Sequence, residues 1–80
     1  DTVGRLEWLA ITTCFGGRPN VARIFLDEWA RLDPNDPKLY FRLAEVEDKA
    51  GNPRAAREAA ARGLGHPSDY VRRTSQQIFD

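Results

Sequence analysis

Apolar positions along the chain fall three and four apart, the spacing of one helix face, and no segment shows the strict alternation of a strand. The pattern also repeats. Offset against itself by 34 residues, the sequence pairs Leu9 with Leu43, Ala10 with Ala44, Gly17 with Gly51, Pro19 with Pro53, Ala22 with Ala56 and Arg23 with Arg57. Identities that include glycine and proline at a single offset mark an internal duplication. The Leu-Ala pair sets a large residue beside a small one, so that a neighbouring helix can approach closely. Glycine ends the first helix of each unit, because the position after a helix end commonly needs a left-handed backbone that only glycine adopts cheaply. Two residues later proline opens the next helix at its first position, where the missing N–H would have had no partner anyway.

These signals predict helices over about residues 2–15 and 19–32, then a turn through Asp33-Pro34-Asn35-Asp36-Pro37 in which Asp36 caps the next helix. A third helix runs from there to about Ala50 and stops at Gly51. A fourth, capped by Asn52, ends near Gly63-Leu64-Gly65, and a fifth starts at Ser68 with Val71, Thr74, Ser75 and Ile78 on one face. Charged pairs four apart, Asp27–Arg31, Glu45–Lys49, Arg54–Glu58, Glu58–Arg62 and Asp69–Arg73, are expected to support the helices locally. The core prediction places Leu9, Ala10, Ala22, Leu43, Ala44 and Ala56 inside, with Arg31, Arg54 and Glu58 in water.

The units resemble the tetratricopeptide repeat. The first carries Leu6, Leu9-Ala10, Gly17, Ala22, Leu26 and Pro34; the second carries Tyr40, Leu43-Ala44, Gly51, Ala56, Ala60 and, one residue early, Pro67. The resemblance covers about residues 3–67. It implies an all-α fold of two antiparallel helix-turn-helix repeats, about 3–36 and 37–67, in right-handed superhelical stacking, closed by a capping helix over about 68–79. Thr13 and Glu47 stand where the family usually has a large aromatic, and Trp29 and Gly63 where it has a small residue, so Trp29 is expected to fill space left by another side chain. The half-a-tetratricopeptide repeat of RNA-processing scaffolds is also similar, through Tyr40, Leu43 and Glu47 and through Ala22-Arg23-Ile24-Phe25, matched more loosely by Ala56-Arg57.

Composition narrows the function. Twelve basic and twelve acidic residues give zero formal net charge, unlike the clustered positive surface that nucleic acid requires, so no nucleic-acid contact is expected. No apolar run approaches the roughly 18 residues that would span a bilayer, and a cytoplasmic setting without membrane contact is the expectation. With no initiating Met, the sequence is expected to be a piece of a longer protein. The lone Cys14 and lone His66 are too thin a set for a metal site or a thiol nucleophile. Glu45, Glu47 and Asp48 make a solvated acidic face rather than a catalytic carboxylate pair. Gly16-Gly17-Arg18 lacks the Lys-Ser/Thr ending of a phosphate loop and follows no strand. Arg54, Arg57, Arg62, Arg72 and Arg73 are interleaved with Glu58 and Asp69 and lack the aromatics of a base-stacking surface. The expectation is a non-enzymatic chain without cofactor or metal.

The resemblance implies a concave surface lined by the first helix of each unit. Its positions fall on Glu7, Ile11 and Cys14 of the first helix, and on Lys38, Phe41, Glu45 and Asp48 of the third, with Arg72, Gln76 and Phe79 added from the fifth. Ile11 and Phe41 are expected to be apolar surface there, in a groove suited to a peptide or a partner helix. Lys38 and Arg42 match the basic positions of tetratricopeptide domains that clamp a C-terminal carboxylate, but Ile11 and Glu45 replace the accompanying asparagines and Glu45 would repel an acid. The expected role is protein–protein interaction within a scaffold; an RNA-processing scaffold and a helical regulatory domain attached to an enzyme are the alternatives. Trp8, with Ile11 and Phe15, is expected to be exposed on the first helix, where it would favour self-association or additional repeats.

Overall fold

A computed structural model describes residues 1–63, and every regular element among them is an α-helix. In chain order these are α1 (Thr2–Phe15), α2 (Pro19–Leu32), α3 (Pro37–Lys49) and α4 (Pro53–Gly63). The expected fifth helix, with Ser68, Val71, Thr74, Ser75 and Ile78, lies outside the described residues.

Local chemistry sets the ends. The Asp1 side chain accepts from the Gly4 N–H at 3.2 Å, and that of Asp36 from the Lys38 N–H at 3.0 Å, each satisfying an N–H with no helical partner. The helix endings are duplicated bond for bond. After α1, Gly17 N–H donates to the Cys14 carbonyl at 3.2 Å and Arg18 N–H to the Thr13 carbonyl at 2.9 Å. After α3, Gly51 N–H donates to the Asp48 carbonyl at 3.2 Å and Asn52 N–H to the Glu47 carbonyl at 2.9 Å. This nested pair is the Schellman closure, which needs a left-handed residue. Gly17 and Gly51 supply it with φ of +86° and +82°. Proline opens the following helix in both units.

A Cβ added at Gly51 would meet nothing within 4 Å, so a side chain there is opposed by backbone strain alone. Gly51→Val is therefore expected to destabilise by about 1–3 kcal/mol. A thermal melt that does not move would remove the turn from this account.

α1 folds back on α2, α3 folds back on α4, and α3 also packs against α1 and α2. The main core lies where α1, α2 and α3 meet, from Ala10, Cys14, Ala22, Leu26, Trp29, Leu39 and Val46. The α3–α4 seam is a separate cluster of small residues, Ala44, Ala59 and Ala60, with Leu43 against it. At equivalent positions α2 carries Phe25, Leu26 and Trp29 where α4 carries Ala59, Ala60 and Gly63. The first pair is thus held by large side chains and the second by close approach.

Two expectations change. Leu9 and Leu43 are half-buried rather than core, because Ala10 and Ala44 hold the centre of each contact and the leucines flank it. Three of the charged pairs also form differently, Glu58–Arg62 among them: the Arg62 guanidinium carbon lies 4.8 Å from the Tyr40 ring centroid and no ion pair joins it to Glu58. Arg31 bonds Glu28 rather than Asp27, and Glu45 bonds Arg42 rather than Lys49, whereas Arg54–Glu58 forms as expected at 3.7 Å. Ala22, Ala56, Arg31, Arg54 and Glu58 have the burial expected of them. No described helix is long and apolar enough to cross a membrane.

Candidate functional site

On α3, Lys38, Arg42 and Glu45 stand at i, i+4 and i+7, one stripe of the helix that faces Glu7 of α1. The Glu7 carboxylate takes both cations. Oε1 lies 3.1 Å from the Lys38 ammonium, and Oε2 accepts from Arg42 Nε at 2.9 Å. Arg42 Nη1 donates in turn to Glu45 Oε1 at 2.8 Å, and the guanidinium rests on the Phe41 ring with its carbon 4.7 Å from the centroid. The Glu7, Arg42 and Glu45 side chains are each 20% exposed or less, so the network is largely screened from water. Burial alone would lower the Arg42 pKa, but hydrogen bonds to Glu45 and then Glu7 outweigh it and raise the group above its ordinary value. Arg42 is a fixed cation between two carboxylates.

A second crosslink joins α2 to α3. The Arg23 guanidinium pairs with Glu47 and also donates to Asn20 Oδ1 at 3.3 Å, while the Asn52 amide reaches Glu47 Oε1 at 3.4 Å. Asn52 therefore ties the second turn to α3 with its side chain, while its carbonyl accepts the first bond of α4 from Ala56 N–H.

This geometry revises the concave surface. Phe41 is 0% exposed, so it is a packing residue and not apolar surface for a ligand. The Arg42 guanidinium lies on its ring and reaches on to Glu7 and Glu45. Glu7, Lys38, Arg42 and Glu45 are brought together, but they are spent on one another. The place of an incoming carboxylate on Lys38 and Arg42 is filled by Glu7. Ile11 is half-buried in the seam with Cys14, Phe15, Arg42 and Glu45, and Asp48 is exposed. Arg72, Gln76 and Phe79 lie outside the described residues. Thr13, where the resemblance leads one to expect an aromatic, turns its hydroxyl back to the Leu9 carbonyl at 2.7 Å.

The large apolar side chains left in water are elsewhere. Trp8 is 64% and Phe15 56% exposed on α1, Ile24 65% and Leu32 44% on α2, and the Lys49 ammonium lies 5.4 Å from the Phe15 ring centroid. Trp8 and Phe15 were legible as surface because neither lies on the face that carries Ala10 and Cys14. The stacking of Lys49 was not, since nothing local relates residues of two helices.

Among the described residues, no group of three or more His, Cys, Asp or Glu could hold a metal ion. Cys14 is buried, and that burial, then the negative charge of Glu45, pushes its thiol pKa up against the opposing pull of Lys49. Iodoacetamide at pH 8 is expected to alkylate Cys14 at least about ten times more slowly in the native chain than in denaturant, because the thiolate is the reactive form. Equal rates would show that the first seam opens freely. The raised value also makes stability fall as pH climbs through the ordinary thiol range, where only the unfolded chain ionises readily.

Comparison with protein-family models, with curated proteins and with solved structures gives no match to this chain.

Proposed function

We propose that the chain is a non-enzymatic protein–protein interaction module of the tetratricopeptide-like kind, in which tandem helix pairs stack as a scaffold for a peptide or a partner helix. The observation that carries this reading is the duplication of one helix-closing geometry at a 34-residue offset, with the same glycine in the same hydrogen bonds and a proline two residues on. A chain that writes one helix pair twice gains an extended surface rather than an enclosed pocket, and holding another chain is what such surfaces do. The Glu7–Lys38–Arg42–Glu45 network acts in this reading as the joint between units.

Selection of displayed random peptides, each long enough for about four helical turns, against the immobilised chain tests the proposal. A recurring motif that binds saturably is expected. Exhaustive selection without an enriched motif would overturn it.

One observation favours a second reading. Arg23 and Glu47, two residues through which the sequence resembles half-a-tetratricopeptide repeats, are ion-paired across α2 and α3. On that reading the chain is a scaffold unit of an RNA-processing complex and still contacts protein.

A further inference from the structure

Among the described residues, the most exposed aromatics lie in one line. Trp8 and Phe15 are seven residues apart, two helical turns, so their side chains leave α1 in nearly the same direction about 10 Å from each other. Both are more than half exposed, and Thr12 and half-buried Ile11 lie between them.

This line is not the seat of one more stacked helix pair. In the second unit, the residues of α3 that enter the core of the first unit are Leu39 and Val46. At the 34-residue offset their counterparts on α1 are Arg5 and Thr12, both exposed. The positions that a preceding pair would cover are therefore polar, and the apolar surface has moved one step round the helix to Trp8 and Phe15. The Thr12 hydroxyl is turned back to the carbonyls of Trp8 and Leu9, at 3.0 and 3.2 Å, which leaves the aromatic line free of a competing polar group.

Charge brackets the line. Arg5 stands one turn before Trp8, and Lys49 lies over Phe15 at the other end. Arg23, Arg31, Lys38, Arg42 and Arg54 each hold a carboxylate, but Arg5 and Lys49 hold none among the described residues. The Asp1 carboxylate, one turn below Arg5, accepts from the Gly4 N–H. From Arg5 to Phe15 the helix rises about 15 Å, which is about three turns of a partner helix.

We propose that the Trp8–Phe15 line, bracketed by the cations Arg5 and Lys49, seats a short amphipathic protein segment whose apolar residues are flanked at both ends by carboxylates. The inference rests on the interaction reading above and moves its contact surface from the concave positions, which are occupied by one another, to the outer line of α1. Exposed Trp with a cation-stacked Phe is the composition of interface anchors. An anionic membrane surface suits the same cations less well. Glu45 borders the line through Ile11 and Phe15, and the chain has zero formal net charge.

The test uses two synthetic helical peptides with Leu at i, i+4 and i+7, one ending in Glu pairs and the other in Lys pairs. The Glu-ended peptide is expected to bind the chain saturably, and the Lys-ended peptide about tenfold more weakly or worse. Trp8→Ala and Phe15→Ala are each expected to weaken binding about tenfold, on the scale of central aromatic anchors, with unchanged circular dichroism because both side chains are surface. Lys49→Glu is expected to abolish the charge preference, since Arg5 still stands at the other end. Equal binding of both peptides, or binding indifferent to Trp8→Ala and Lys49→Glu, overturns the inference and leaves the interaction reading standing. So does a concentration-dependent dimer in sedimentation that Trp8→Ala abolishes, which would give the surface to a second copy. Stronger binding to phosphatidylserine vesicles than to the Glu-ended peptide would give it to a membrane. If neither the designed peptides nor any selected peptide binds, both readings fall.

Discussion

Trp29→Ala is expected to cost about 3–5 kcal/mol, the range for removing a large aromatic from a core. A domain this small has a total stability on the order of 5–10 kcal/mol, so the variant should be partly unfolded at room temperature. Trp29 is 1% exposed and belongs to the cluster that α1, α2 and α3 build together. Its loss would open a cavity at the one place where the two units share a core, and the alanines of the second seam are too small to collapse into it. The indole Nε1 has no hydrogen-bond partner among the described residues. Trp29→Phe removes that buried donor along with some volume, and the recovered desolvation offsets part of the loss. Trp29→Phe is therefore expected to cost less than half as much as Trp29→Ala. Urea denaturation of the three chains measures both differences, and an alanine variant with the original midpoint would mean that the core lies elsewhere.

The elements were legible wherever a backbone rule acts on a few adjacent residues. Gly17 and Gly51 must supply a positive φ, Pro19 and Pro53 can stand only at a helix start, and Asp36 has an N–H two residues on to accept from. These constraints are local, and each boundary they predict within residues 1–63 falls within a residue or two of the observed one. The burial of Trp29 agrees with the expectation that it fills space left by another side chain. Depth of burial was less legible. Leu9 and Leu43 looked like core because leucine usually is, yet the adjacent alanines set how closely the helices approach and the leucines sit at the margin.

The candidate site was legible as a set of positions and not as a set of contacts. Glu7, Lys38, Arg42 and Glu45 do meet, but the partner of each lies up to 35 residues away, and periodicity along one helix cannot say whether a charge faces water or another helix. Phe41 was misread for the same reason. The resemblance implied a surface place for it, whereas its side chain is fully buried with the Arg42 guanidinium on its ring. The two shifted ion pairs carry a similar lesson. Glu45 has Arg42 three residues before it and Lys49 four after, and the choice is made by Glu7, which holds Arg42 within reach. Trp8 and Phe15 were easier, since residues opposite a core face have nowhere to go but outward.

Removing the Glu7 carboxylate is expected to be the most costly change at the joint. Glu7→Ala leaves Arg42 with Glu45 alone and Lys38 with no carboxylate, and takes away the only ion pairs shown between α1 and α3 among the described residues. Lys38 is 41% exposed and can return to water, so its share of the loss is small. Arg42 is the larger part, because its side chain is 20% exposed and a guanidinium held there needs both of its partners. The expected cost is about 2–3 kcal/mol, below that of a fully buried pair because water still reaches the edge of the network. A double-mutant cycle between Glu7→Gln and Arg42→Met isolates the interaction from the shape change. A coupling energy of about 1 kcal/mol or more is expected, with a smaller value for the same cycle in high salt, since the network is not sealed from ions. Additive single effects would mean that α1 and α3 are held by apolar packing and that the four charges meet only as a consequence of it.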